Sequence, residues 1–271
     1  MFGRTSGAAL DGIEARLIDV EVHLGGGLPT VTAVGLPDVA VREGLDRIRV
    51  ALGASEFRMP TSRAVINLAP ADIPKQGAGL DLPIAVALLV SDGQLPPPGP
   101  RGTVLIGELA LDGRVRPVRG TLAAALAARD ADRPRMIVSR ESAQEAALAD
   151  GVEVLAVGSL RDVAAIARGE RLDRVRADPE RRLREAAYSG DAPDLADVRG
   201  QALARRALEI SAAGGHHLLL SGPPGSGKSM LARRLPGILP PLSLDEALEV
   251  TRIWDAVGLA TGLCTRRPFR A

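Results

Sequence analysis

Leu218-Leu-Leu-Ser-Gly-Pro-Pro-Gly-Ser-Gly-Lys-Ser-Met-Leu-Ala-Arg-Arg-Leu235 carries a short apolar run, a glycine-rich loop and the start of a helix. The loop, Gly222, Pro223, Pro224, Gly225, Ser226, Gly227, Lys228 and Ser229, fits G-x-x-x-x-G-K-[ST]. Composition gives about 0.002 chance matches in the whole chain. Each residue type has a physical reason to be there. Glycines let the backbone curl so that its N–H groups face a polyphosphate, and a helix N-terminus adds positive potential. Lys228 is expected to reach the β- and γ-phosphates as a compact point charge, where the planar fork of Arg would be too bulky. Ser229 is expected to offer its hydroxyl to Mg²⁺. The plain alternative is a glycine-rich turn at a strand end.

Of the 34 basic residues, 32 are Arg, and Lys75 and Lys228 are the only lysines. A lysine at this motif position in so Arg-biased a chain strengthens the phosphate reading. The segment beyond the loop is less expected. Hydrolysis by such a site also needs an apolar strand ending in acidic residues that hold Mg²⁺ and orient water. The candidate is Leu242-Ser-Leu-Asp-Glu246, but Ser243 and Glu246 fit a helix capping box better. The 42 residues after Ser229 are too few to complete a nucleotide-binding sheet, so the chain looks cut short.

Working outward, 271 residues suit one large domain or two ordinary ones. A net charge of +1 excludes a strongly basic nucleic-acid coat, although not a local basic patch. The single Cys264 excludes an intramolecular disulfide framework and fits a reducing cytosol. The first residues lack the apolar run of a signal peptide. The longest apolar stretch, residues 82–90, is far short of the roughly 20 that span a bilayer. The expectation is a soluble, cytoplasmic protein without membrane contact.

Alternation over residues 18–24 predicts a half-buried strand, and Asp38 is placed to cap a helix with Val41, Leu45, Ile48 and Leu52 on one face. Residues 64–68 read as a buried strand, and Asp81 as the cap of an apolar helix over 82–90. Residues 103–111 and 114–118 flank Asp112-Gly113, a hairpin signal. Then come a helix (121–129), a strand (136–139), a helix (141–149), a strand (152–157) and a helix opened by Ser159 and Asp162. Residues 168–185 hold seven Arg and five acidic residues, a solvated connector. With Ser189, Gly190, Asp191 and Pro193 it marks a boundary. Beyond it lie a helix (201–213), a strand (218–220), the loop and a helix from Met230 to Leu235, then a helix from Ser243 toward Trp254. The fold class expected is α/β and α+β.

The stretches 194–201, 212–229 and 231–242 resemble the magnesium-chelatase-like AAA+ ATPases of the YifB/ComM type. So do Val34-Gly-Leu-Pro-Asp-Val-Ala-Val-Arg-Glu43, Asn67-Leu-Ala-Pro-Ala-Asp-Ile-Pro-Lys75 and Thr265-Arg-Arg-Pro-Phe-Arg-Ala271. The resemblance covers nearly the whole chain. It implies ATP and Mg²⁺ as cofactors and, in a longer protein carrying the Walker B strand and arginine finger, a homo-hexameric motor driving DNA branch migration during natural transformation. By the same token this chain is expected to bind ATP without hydrolysing it. The N-terminal part resembles the proteolytic domain of Lon proteases, which implies a ribosomal-protein-S5-like fold. Pro74-Lys-Gln-Gly-Ala-Gly-Leu80 looks like the segment around Lon's nucleophilic serine, and residues 107–120 like the hairpin before its lysine. Gly79 stands where the serine would be and Leu122 where the lysine would be, and neither can do that chemistry. The organisation implied is an S5-like domain without the dyad (1–168), a charged linker (169–193) and the incomplete start of a P-loop AAA+ α/β domain (194–271).

The alternatives are a metal-chelatase motor subunit and, less favoured, a Ser/Lys peptidase. The Lon-like N-terminal part argues against the first, because chelatase motors are expected to match only after about residue 194, and Gly79 and Leu122 argue against the second. Ser62 and Ser91 fall outside the matching motif, and Lys75 has no hydroxyl at Gly79 to activate. His216-His217 lacks further ligands at metal spacing and reads as structural. Cys264 reads as an ordinary residue. Arg266, Arg267 and Arg270 could meet phosphates or serve the surface equally well.

Overall fold

The computed structural model describes all residues except 100, 171–173, 188–192, 260–261 and 270–271. The chain forms two units, Met1–Ala177 with Thr251–Gly262, and Asp178–Val250 with Leu263–Ala271. The first unit contains, in order, β1 (Phe2–Asp11), β2 (Glu14–Gly25), β3 (Val31–Val34), α1 (Val39–Ala54), β4 (Arg63–Ala69), α2 (Asp81–Ser91), β5 (Val104–Leu105), β6 (Glu108–Leu109) and β7 (Val115–Arg116). It continues with α3 (Thr121–Asp130), β8 (Arg135–Ser139), α4 (Ala143–Ala146), β9 (Glu153–Val157), α5 (Leu160–Ala167) and β10 (Arg174–Val175). Eight of the described strands form one mixed sheet in the order β10-β9-β8-β5-β1-β2-β4-β3. The β9-β8-β5-β1 run and the β4–β3 pair are parallel, while β1–β2, β2–β4 and β10–β9 are antiparallel. The fold is mixed α/β, as the sequence suggests.

The predicted alternation is realised in β2, where Ile18, Val20, Val22 and Leu24 are buried and join one core with Ile48, Leu52, Ile66, Leu68 and the apolar α2. Asp38 caps α1 as expected: its Oδ1 accepts the Val41 N–H at 2.8 Å and its Oδ2 the Gly77 N–H at 3.0 Å. The Ser159–Asp162 capping box on α5 is also formed.

The ten-residue strand β1 carries no apolar alternation, because Gly3 and Gly7 hold buried positions where α2 lies against the strand. A Cβ on Gly3 would sit 2.5 Å from the Ala87 carbonyl oxygen, and one on Gly7 2.8 Å from Leu80 Cδ2. Asp81 is not the cap of α2. Its side chain makes no capping bond there but turns to Arg47 of α1, at 3.0 Å and 3.2 Å, and accepts the Leu109 N–H at 3.3 Å. Residues 103–111 divide between β5 of the main sheet and β6, which pairs with β7 around the Asp112-Gly113 turn. The helix expected over 141–149 shrinks to α4, since Leu148 and Ala149 bond three residues back rather than four.

The second unit holds α6 (Pro179–Ala187), α7 (Ala202–Gly214), α8 (Lys228–Ala232), α9 (Leu235–Ile238) and α10 (Leu244–Ala256), whose last residues belong to the first unit. The charge run supplies both β10 and the solvated α6, with Arg184–Glu180 and Arg181–Glu185 pairs at helical spacing. Of the expected boundary residues, Ser189, Gly190 and Asp191 lie outside the described residues. No helix among the described residues is long and apolar enough to cross a membrane.

Candidate functional site

The loop from Gly222 to Ser229 leaves a small apolar cluster of Leu195, Val198, Leu208 and Leu231, against which Leu220 and Leu235 pack. Gly225 and Gly227 adopt left-handed φ values of 77° and 84°, a conformation that a side chain strains against. Gly227 ends the loop and leads into α8, whose first residue is Lys228. The Lys228 ammonium donates to the Gly222 carbonyl at 2.9 Å, the Pro223 carbonyl at 2.7 Å and Ser226 Oγ at 3.3 Å. Thus the charge is folded back over its own loop. Ser226 Oγ donates to Pro223 at 2.9 Å, and Gln201, at the start of α7, donates to the Ser226 carbonyl at 2.9 Å. From the other side, Arg234 donates to the Asp194 carbonyl at 2.8 Å. Gln201 and Arg234 thereby tie both shoulders of the loop to residues 194–201. Ser229 is exposed in the first turn of α8.

Two expectations around this loop are corrected. Residues 218–220 form no strand: a ladder partner for them is absent among the described residues of this unit, and Leu219 is 89% exposed. The helix expected to run from Met230 to Leu235 is two short pieces, α8 and α9.

The acidic segment after the loop behaves as a cap. Ser243 N–H donates to Glu246 at 2.9 Å and Glu246 N–H to Ser243 Oγ at 3.2 Å. Arg267 also donates to Glu246 at 3.1 Å and 3.3 Å and to the Pro240 carbonyl at 2.8 Å. The Ser243 hydrogen bond, with Arg267 beside it, holds the Glu246 carboxyl below its ordinary range. Arg270 lies outside the described residues. His216 works through its main chain, accepting Ser211 Oγ at 2.6 Å to close α7. Cys264 is half-buried.

In the first unit, Gly79 sits in a short 3₁₀ turn at the start of α2, and a Cβ there would meet Ile106 and Val118 at 3.4 Å and 3.7 Å. Leu122 is fully buried in the first turn of α3. Lys75 is fully buried too and gives its ammonium to the Pro70 carbonyl, with burial pushing its pKa down against the opposing charge of Asp72.

A carboxyl pair that no sequence motif announces lies at the start of α3. Asp255 accepts the Gly120 N–H at 2.9 Å and the Leu122 N–H at 3.1 Å, and Glu145 of α4 faces it. Burial, then the Asp255 charge, then a hydrogen bond to Asp255 push Glu145 up to about 8. Burial also raises Asp255, against the two backbone donors and Glu145. Asp255 is 135 residues from Gly120, so only the fold brings the pair together.

A mixed α/β unit followed by a glycine-rich, lysine-bearing loop matches two family descriptions: subunit ChlI of Mg-chelatase over residues 20–142, and magnesium chelatase, subunit ChlI, over residues 194–271. Among curated proteins, the chain is 45% identical to YifB of Salmonella typhimurium over 263 residues, 96% of this chain and 51% of that protein. It is 43% identical to YifB of Escherichia coli over the same shares. It is 40% identical to the competence protein ComM of Haemophilus influenzae over 265 residues, 96% of this chain and 51% of ComM. The chain belongs to the magnesium-chelatase-like family of YifB and ComM, and it spans about half the length of these relatives. Because a chelatase description also covers residues 20–142, the N-terminal part does not by itself separate a ComM-type protein from a chelatase motor.

Proposed function

We propose that this chain binds ATP with Mg²⁺ at Gly222–Ser229, as the nucleotide-holding part of an AAA+ motor of the ComM type. The observation that carries the reading is the Lys228 ammonium, held over a loop of left-handed glycines at the head of α8 with an exposed Ser229 hydroxyl beside it. The donor set fits the group. Lys228 would exchange two main-chain carbonyls for phosphate oxygens, a charge-assisted and stronger pairing. Gly225, Ser226 and Gly227 would supply backbone N–H groups, and Ser229 would supply one oxygen to the metal. Bound Mg²⁺ bridges and neutralises phosphate charge.

Glu246 is already engaged by Ser243 and Arg267, which supports nucleotide binding by this chain without turnover. On this reading the motor acts on DNA as a homo-hexamer, and the competence protein ComM among the relatives supports the DNA side. The second reading, a chelatase motor subunit, is favoured by the chelatase description on both segments. We propose further that the first unit is a Lon-like, S5-fold scaffold without peptidase chemistry, since Gly79 carries no nucleophile and Leu122 no base.

The nucleotide reading is tested by titrating the chain with a fluorescent ATP analogue. Lys228→Ala is expected to weaken binding by about 2–4 kcal/mol, the range for unpairing a close charge. Equal affinity of variant and parent overturns the assignment.

A further inference from the structure

The first unit holds a cavity of about 550 Å³ that shares no residue with the 222–229 loop. Its walls come from the start of β1, from Asp19 on β2, from residues 97–99 and 101–103 between α2 and β5, and from Arg133 just after α3. Phe2 and Arg4 stand two apart on β1 and therefore share one face of the sheet. Arg4 donates to Asp19 Oδ2 at 2.6 Å, and Asp19 Oδ1 accepts Ser6 Oγ at 3.1 Å, so both carboxylate oxygens of Asp19 are taken.

The other two cations have no such partner. Arg101 and Arg133 pair with no carboxylate among the described residues, and Arg133 Nε is buried without a hydrogen-bond acceptor. The loop is shaped to admit that guanidinium. Gly102 takes a φ of 86°, and a Cβ there would stand 2.8 Å from Arg133 Nη1. Three arginines therefore line the cavity against one already paired aspartate. Like charges in one concave site are tolerated when an anion joins them. The rest of the lining mixes the hydroxyls of Thr5, Ser6 and Thr103 with an apolar wall: Phe2, 61% exposed in a chain with few aromatics, with Val90, Pro97 and Pro98. An apolar wall with a few convergent cations, at this volume, suits a small amphiphilic anion rather than a bare ion.

We propose that this cavity binds a phosphate monoester carrying a ring-bearing body of nucleoside-monophosphate size, its phosphate on Arg101 and Arg133 and its body against Phe2 and the proline edge. The site shares no residue with the 222–229 loop.

The test is equilibrium dialysis of the full chain with labelled AMP, run on the parent, Lys228→Ala, Arg133→Met and Arg101→Gln, with melting curves for each. Expected is saturable, one-to-one binding that Lys228→Ala leaves unchanged and that each arginine variant weakens at least about tenfold. Inorganic phosphate should compete only at about tenfold higher concentration, because it lacks the body. If Arg133→Met fails to melt cooperatively, the exposed Arg101 carries the comparison. The proposal is overturned by the absence of saturation at about 1 mM AMP, or by binding that survives both arginine changes. Loss with Lys228→Ala overturns it too, since that places AMP in the loop. Phosphate competing as well as AMP removes the ring-bearing class.

Discussion

Replacing Glu145 by Gln should remove a pH dependence that is built into the first unit. Asp255 holds the first turn of α3 through the Gly120 and Leu122 N–H groups, and Glu145 shares a proton with it. In the folded chain Glu145 keeps its proton up to about 8, raised by burial first and by Asp255 second. Unfolded, a glutamate releases it near 4.5. The folded state thus holds one more proton than the unfolded state across that interval, so stability is complete below about 4.5 and falls as pH rises toward about 8. Each pH unit over which one proton differs is worth about 1.4 kcal/mol. The full interval would reach about 5 kcal/mol, but Glu145 is only half-buried. Screening by water reduces the expected loss to about 2 kcal/mol. For a unit of this size that is about 4–8 °C in Tm. Thermal melts of the parent and Glu145→Gln, followed by circular dichroism from pH 5.5 to 9, give the answer. The two chains differ at this one side chain, so the difference between their curves reports the Glu145–Asp255 pair. The parent should lose Tm with rising pH and the variant should lose less, gaining most above pH 8. Parallel curves would refute the shared proton.

Three further outcomes rest on the packing and on the scaffold role proposed for the first unit. Arg47→Met leaves the Asp81 carboxylate, 2% exposed, without its cation and should cost about 3 kcal/mol in denaturant unfolding, part of it recovered when Asp81→Asn is added; an unchanged midpoint refutes the pair's role. Gly3→Ala places a Cβ 2.5 Å from the Ala87 oxygen and should cost about 1–3 kcal/mol, whereas Gly26→Ala, with open space around it, should stay within about 0.5 kcal/mol. Incubated with unfolded casein and an acylating serine probe, the full chain should show no time-dependent cleavage and no labelled serine; either would overturn the scaffold reading drawn from Gly79 and Leu122.

The elements that were legible in the sequence are those whose signal lies within a few residues. The alternation of β2 and the caps at Asp38, Ser159 and Ser243 are local matters of period and hydrogen bonding, and all four are formed. The features that escaped are those another element decides. β1 hides its strand character because α2 demands glycine at Gly3 and Gly7. Asp81 looks like a cap because it precedes an apolar helix, yet Arg47, 34 residues away, has the stronger claim on a buried carboxylate. Residues 218–220 have the composition of a strand, but strand character is a property of a pair, and no partner lies among the described residues of that unit. The Glu145–Asp255 pair joins α4 to the end of α10 and leaves no trace in spacing.

The two lysines bring these scales together. In a chain that otherwise uses arginine for every cation, both lysine ammonium groups end on main-chain carbonyls: Lys75 on Pro70, and Lys228 on Gly222 and Pro223. A tight turn of carbonyl oxygens admits a compact ammonium with three rotatable donors, whereas a planar guanidinium would force the turn open. The departure from arginine therefore marks tight loop geometry before it marks function. Burial separates the two cases. Lys75 is sealed at 0% exposure with its donor turned inward, a structural use. Lys228 lies half-buried at the head of α8 beside an exposed Ser229, where, on the proposed reading, an incoming phosphate would take the ammonium from the carbonyls without unpacking a core. Of the two, only Lys228 has its charge where a ligand can compete for it.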